Sequence, residues 1–80
     1  MDRFASMEVF VKVAESGSFS AAAAALNMSG QMVGKHIRAL EEHLGVRLLN
    51  RTTRQQSLTS AGNDFLERTR VVLAELGAAE

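Results

Sequence analysis

The chain has 80 residues, a formal net charge of zero and no cysteine, which bounds it to one domain and excludes a disulfide framework and a thiolate zinc site. A domain this short buries only about 60% of the surface of its unfolded chain, so its stability alone is marginal and a second chain would raise it. No apolar run approaches a membrane-spanning length, and Asp2 and Glu8 interrupt the stretch where a secretory signal would stand, so a soluble, cytoplasmic protein with no membrane partner is expected.

Asp2 opens the first expected helix, in which Phe4, Met7, Phe10, Val11 and Ala14 recur at three- and four-residue spacing as one apolar stripe; Gly17 stops it. Ser18 caps a second helix from Phe19 to Leu26, and Asn27 supplies the left-handed residue that ends it. The run Ala21 to Ala25 favours helix and is small enough for close approach, with Phe19 and Leu26 expected to fill the core; read without its caps, the same run is simple low complexity. Ser29 then caps a third helix that continues to Leu44. Only three residues separate the second and third helices, so the two must cross steeply and the third projects with one face clear of the core. That arrangement suits entry into a DNA major groove.

The third helix divides into two faces. Val33, Ile37, Leu40 and Leu44 follow spacings of four, three and four and form the expected buried stripe. Truncating Ile37 or Leu40 to alanine should cost roughly 2 to 5 kcal/mol. Gln31, Gly34, Lys35, Arg38 and Glu42 fall on the other side. Gly45 follows where a left-handed terminus is wanted, Val46 to Leu49 reads as a short strand with Leu48 or Leu49 turned inward, and Gln56 to Leu58 reads as its return. Between them Asn50 to Gln55 forms a polar hairpin tip with two arginines and two threonines. Thr59 caps a fourth helix running from about Ser60 towards Ala79, with Phe65, Thr69, Val72, Leu73 and Leu76 along one side. The earlier helices are too short to cover five or so turns, so a second copy of the chain is the natural cover, with folding entirely onto its own subunit as the alternative.

The zero net charge argues at first against a nucleic-acid binder. Its distribution argues the other way: between Met28 and Ser60 stand Lys35, Arg38, Arg47, Arg51 and Arg54 against only Glu41 and Glu42, while most of the carboxylates lie in the first and last helices. Ordinary fluctuation of charge along a chain is the competing account of that count. Gln31 can hydrogen-bond bidentately to adenine, Lys35 can donate to the acceptors of guanine, and Arg38 is better placed for phosphate. An ordinary solvated helix face is the alternative for all three. Ser18, Ser20 and Ser29 could donate to phosphates besides capping, with capping alone preferred for Ser18. His36 and His43 stand seven apart on one helix and lack the further ligands a metal would need. No phosphate loop, nucleophile motif or carboxylate pair offers a catalytic residue, and no cofactor is expected.

The stretches MEVFVKVAESGSFSAAAAALNMS at 7–29 and IRALEEHLGVRLLNRTTRQQSLTSAG at 37–62 together resemble the amino-terminal DNA-binding domain of LysR-type transcriptional regulators. The turn, the LEEHLGVRLLNR corner and the SLTSAG helix start seldom occur together by chance. The fold class expected is therefore mainly α: a winged helix-turn-helix with a three-helix core, a two-stranded wing and a long C-terminal linker and dimerisation helix. The resemblance divides the chain into a DNA-binding domain at 1–58 and a linker and dimerisation helix at 59–80. It also places an effector-binding domain outside this chain, and implies a bacterial transcription factor that is no enzyme and acts in the cytoplasm on the nucleoid.

The site residues follow from this resemblance added to the reading of the helix faces. A recognition helix at about 30–44 enters the major groove through Gln31, Gly34 and Lys35. Ser20, Ser29, Arg38, Arg51 and Thr53 serve phosphates, and Arg54, on a wing at about 50–56, reaches the minor groove. Arg51 has an equal structural alternative, pairing with a carboxylate or carbonyl near the end of the third helix. In the family a proline and a serine usually stand where this chain has Gly30 and Gly34. Dimerisation through Phe65, Val72, Leu73 and Leu76 implies duplex DNA carrying an inverted repeat as the partner, with a tetramer open for the full-length protein. A winged helix used for protein association, or a molybdate-responsive or MarR-like winged helix, is the rival reading; the corner motif argues against MarR more than against the molybdate type.

Overall fold

The computed structural model describes residues 2–50 and 57–80. In chain order these form α1 (Arg3–Ser16), α2 (Phe19–Leu26), α3 (Gly30–Leu44), β1 (Leu49–Asn50), β2 (Ser57–Leu58) and α4 (Ser60–Ala79). The expected wing tip, with Arg51, Thr52, Thr53 and Arg54, lies outside the described residues, as does the Gln56 start of the return strand.

Each helix begins where a short polar side chain can satisfy an orphan backbone N–H. Asp2 Oδ1 accepts from Phe4 N–H at 3.0 Å, Ser18 Oγ from Ala21 N–H at 3.0 Å, Ser29 Oγ from Met32 N–H at 3.1 Å and Thr59 Oγ1 from Gly62 N–H at 2.9 Å. The first three helices end on left-handed residues, Gly17 (φ 83°), Asn27 (φ 56°) and Gly45 (φ 72°), which reverse the chain after each. The three-residue turn between α2 and α3 is thereby closed at both ends, and Met28 N–H donates to Ala23 O at 3.0 Å within it.

α1 is the central element, packing against α2, α3 and α4. Its buried sector is accordingly broader than one stripe and rotated from the expected one. Ser6, Met7, Val9, Phe10 and Val13 are buried, whereas Val11 and Ala14 are only partly covered and Phe4 is 45% exposed. Three neighbours enclosing one helix bury residues on both flanks of the line that periodicity picks out. In α2 the buried residues are Ala22 and Ala23, with Phe19 and Leu26 packed at the core's margin. The two small residues let α2 lie close to α1 and α3.

α3 buries Val33, Ile37 and Leu40 as its spacing predicts, but Leu44 is 38% exposed and its place is taken by His36 and Glu41. The helix runs past the edge of the core before Gly45 turns the chain back, so its last residue is only partly covered. Leu48 and Leu49 are both buried, which settles the choice between them, while Val46 is exposed. β1 begins at Leu49 rather than at Val46, and the described strand residues pair antiparallel with Leu49 opposite Leu58 and Asn50 opposite Ser57.

α4 docks its first half on the core through Gly62, Leu66 and Thr69, and Phe65 sets its ring 5.6 Å from that of Phe10. Gly62 sits so close to the strand approach that an added Cβ would overlap the Leu48 carbonyl. Beyond Thr69 the helix outruns its own core: Leu73 is half-buried, while Val72 and Leu76 are each 39% exposed. An ion pair between Arg70 Nη2 and Glu15 Oε2 at 3.5 Å ties α4 to the end of α1.

Candidate nucleic-acid interface

The site is the outward face of α3. A buried stripe of Val33, Ile37 and Leu40 anchors one side of the helix in the core. The 3.6-residue period then places Gln31, Lys35, Arg38 and Glu42 on the opposite side, where all four are exposed. Gly34 lies at the edge of this face and is half-buried. Among the major-groove residues expected from sequence, Gln31, Gly34 and Lys35 therefore share one surface, and Arg38 extends it by a turn. Ser29 is exposed at the positive end of the helix dipole with its hydroxyl engaged in capping. Ser20 is exposed in the first turn of α2. Arg51, Thr53 and Arg54 lie outside the described residues.

Between α2 and α3 runs an open groove of about 560 Å³ lined by Phe19, Gly30, Gln31, Gly34, Lys35 and Arg38. Its lips are polar and cationic and its floor is an aromatic ring and glycine backbone. Arg47, 69% exposed at the corner after α3, adds a further cation near the strands. The carboxylates Glu8 and Glu15 lie on α1, and Asp64 and Glu67 on α4, away from this face. Glu42 is the exception, one turn after Arg38.

Sequence reading passed over the residues that hold the corner behind the helix. Glu41 is 8% exposed, and its Oε2 accepts from Leu48 N–H at 2.8 Å and from Leu49 N–H at 3.4 Å. Its Oε1 lies 4.0 Å from Arg47 Nη1. One carboxylate thus fixes the backbone that leads from α3 into β1 by accepting from two successive N–H groups. Spacing carried a signal for this, because Glu41 follows Ile37 by four residues and so shares the buried side. Thr59 completes the corner: its Oγ1 donates to Arg47 O at 2.6 Å and its N–H donates to Leu48 O at 3.0 Å. Ser6 Oγ and His36 Nδ1, 2.8 Å apart, form a buried hydrogen bond between α1 and α3. This gives His36 a structural place, and among the described residues no group of histidines and carboxylates is arranged to hold a metal. None of the described helices is long and apolar enough to cross a membrane.

Comparison with known proteins places this geometry. Residues 4–63 match the family model described as bacterial regulatory helix-turn-helix protein, lysR family. The chain is 53% identical over 74 residues to the HTH-type transcriptional regulator CrgA of Neisseria meningitidis, a match that covers 92% of this chain and 25% of that protein. It spans about a quarter of the length of the curated relatives it matches. Among solved structures it superposes on the DNA-binding domain of CbnR in complex with DNA with a TM-score of 0.92 at 40% identity, covering 99% of this chain and 90% of that one. The corresponding figures for the DNA-binding domain of BenM on a benA site are 0.93, 30%, 99% and 88%.

Proposed function

This chain belongs to the lysR family of bacterial regulatory helix-turn-helix proteins, and on that premise we propose that it binds duplex DNA in a sequence-specific manner, as a dimer, to regulate transcription. The observation that carries the reading is the outward face of α3, where Gln31, Lys35 and Arg38 stand together and all three are exposed. CbnR and BenM, whose DNA-binding domains have been solved on DNA, share this fold over nearly all of the chain.

Residues 30–44 form the recognition helix, with Gln31 and Lys35 at base edges and the Gly34 backbone close to them. Arg38, Ser20 and Ser29 serve phosphates, joined by Arg51 and Thr53, and Arg54 enters the flanking minor groove from a wing at about 50–56. Residues 1–58 are the DNA-binding domain, and 59–80 the helix that pairs with a second copy and leads towards an effector-binding domain. Val72, Leu73 and Leu76 supply the apolar stripe for that pairing, while Phe65 divides its surface between the pairing and its own core. A twofold dimer presents two recognition helices to an inverted repeat whose halves lie about one helical turn, or a multiple of it, apart. The site of action is the bacterial cytoplasm, on the nucleoid.

A band-shift titration with random and selected duplexes tests this. If about six phosphates are neutralised per dimer, affinity for either duplex falls by on the order of a thousandfold between about 50 and 200 mM salt. Association that is indifferent to salt, or no shift at low salt, overturns the proposal.

A further inference from the structure

The groove beside the recognition helix has a chemistry of its own. A Cβ built on Gly34 would stand 3.6 Å from Cε2 of Phe19, an ordinary van der Waals contact. Among the described residues Phe19 Cε2 is the one atom outside the helix's own backbone within 4 Å of that point, and the edge of the Phe19 ring lines the groove. Around this apolar floor stand Gln31, Lys35 and Arg38. An occupant must therefore be small and apolar at its tip and must lie within an anionic, hydrogen-bonding frame.

Resting on the reading of α3 as a recognition helix, we infer that the gap over Gly34 receives the C5-methyl group of a thymine, so that this chain selects thymine at one position of each half-site by apolar contact with Phe19. The major-groove edges of the bases leave little choice. Guanine and adenine present N7 with O6 or N6, and cytosine presents N4; only thymine carries an apolar group there, beside an O4 acceptor. Phosphates on either side complete the frame by matching the cations on the lips. A serine at position 34 would fill the gap with its own side chain and put a hydroxyl where the methyl is to sit. The glycine thus exchanges a polar contact for an apolar socket.

The experiment first selects a bound duplex from a random pool with the native chain. Each thymine in turn is then replaced by deoxyuracil, which removes the methyl group and leaves base pairing intact. Dissociation constants are measured for the native chain, Gly34→Ala and Gly34→Ser, with circular dichroism confirming that each is folded. One thymine per half-site should weaken native binding about fourfold on losing its methyl, the worth of one buried methyl group. In both variants the ratio of uracil to thymine affinities at that position should fall to about one, whatever their absolute affinities. If the native chain binds but no thymine is methyl-sensitive, or if the sensitivity persists undiminished in Gly34→Ser and Gly34→Ala, this inference is overturned while the DNA-binding reading stands. If the native chain selects no duplex at all, both fall.

Discussion

Glu41 offers the sharpest test of how the corner behind the recognition helix is held. Replacing it with alanine leaves two buried backbone donors, Leu48 N–H and Leu49 N–H, without the carboxylate that accepts from them. The 2.8 Å bond is charge-assisted and contributes about 1.5–3 kcal/mol, and the 3.4 Å one lies near the weak end, about 0.5 kcal/mol. Arg47 is largely exposed and 4.0 Å away, so its attraction adds at most about 1 kcal/mol. Glu41→Ala should therefore cost about 2–4.5 kcal/mol, out of roughly 4–12 kcal/mol expected for a domain of this size. Glu41→Gln keeps one acceptor oxygen and should cost about 1–2 kcal/mol. Urea unfolding followed by helical circular dichroism reads the difference as a lowered midpoint at constant slope, and a thermal melt should show a drop of about 8–36 °C for the alanine variant. Because Leu48 and Leu49 lead directly into β1, DNA affinity should also fall at temperatures where the variant is still folded. A Glu41→Ala protein within about 0.5 kcal/mol of the parent would show that the carboxylate is not what holds the corner.

Further outcomes follow from the same contacts. Gly62→Ala should destabilise by about 1–2 kcal/mol in urea titrations, since its Cβ meets the Leu48 carbonyl and the overpacking cost of about 1–3 kcal/mol exceeds the helix-propensity gain of at most about 1 kcal/mol; a more stable variant would refute the close approach. The Thr69 hydroxyl is fully buried and has no hydrogen-bond partner among the described residues, so Thr69→Val should leave stability unchanged or raise it by up to about 2 kcal/mol. A melting temperature lowered by more than about 5 °C would contradict that. Val72→Asp together with Leu76→Asp should leave the helical spectrum intact, because both positions are exposed in one subunit, while weakening self-association by on the order of tenfold or more in sedimentation equilibrium. A dimer of unaltered affinity would remove this stripe from the interface.

The punctuation of the fold was legible in the linear chain because caps act locally. Ser18, Asn27, Ser29, Gly45 and Thr59 each take the backbone conformation or hydrogen bond that their side chains favour, which is why α2 and α3 begin and end where the residues alone place them. The polar face of α3 was legible for a similar reason: Gln31, Lys35 and Arg38 follow from helical period once the opposite stripe is recognised. What periodicity could not decide was how many neighbours each helix has. α1 is enclosed from three sides, so Val9, Val13 and Ser6 are buried and Phe4 is not, and α3 overruns the core, so Leu44 is exposed and Glu41 turns in. The carboxylate latch on Leu48 and Leu49, the Gly62 approach and the socket between Gly34 and Phe19 join residues distant along the chain. Local preference determines where a helix starts and which side is apolar; only the docking of helices on one another decides which polar groups lose water, and hence which must find each other.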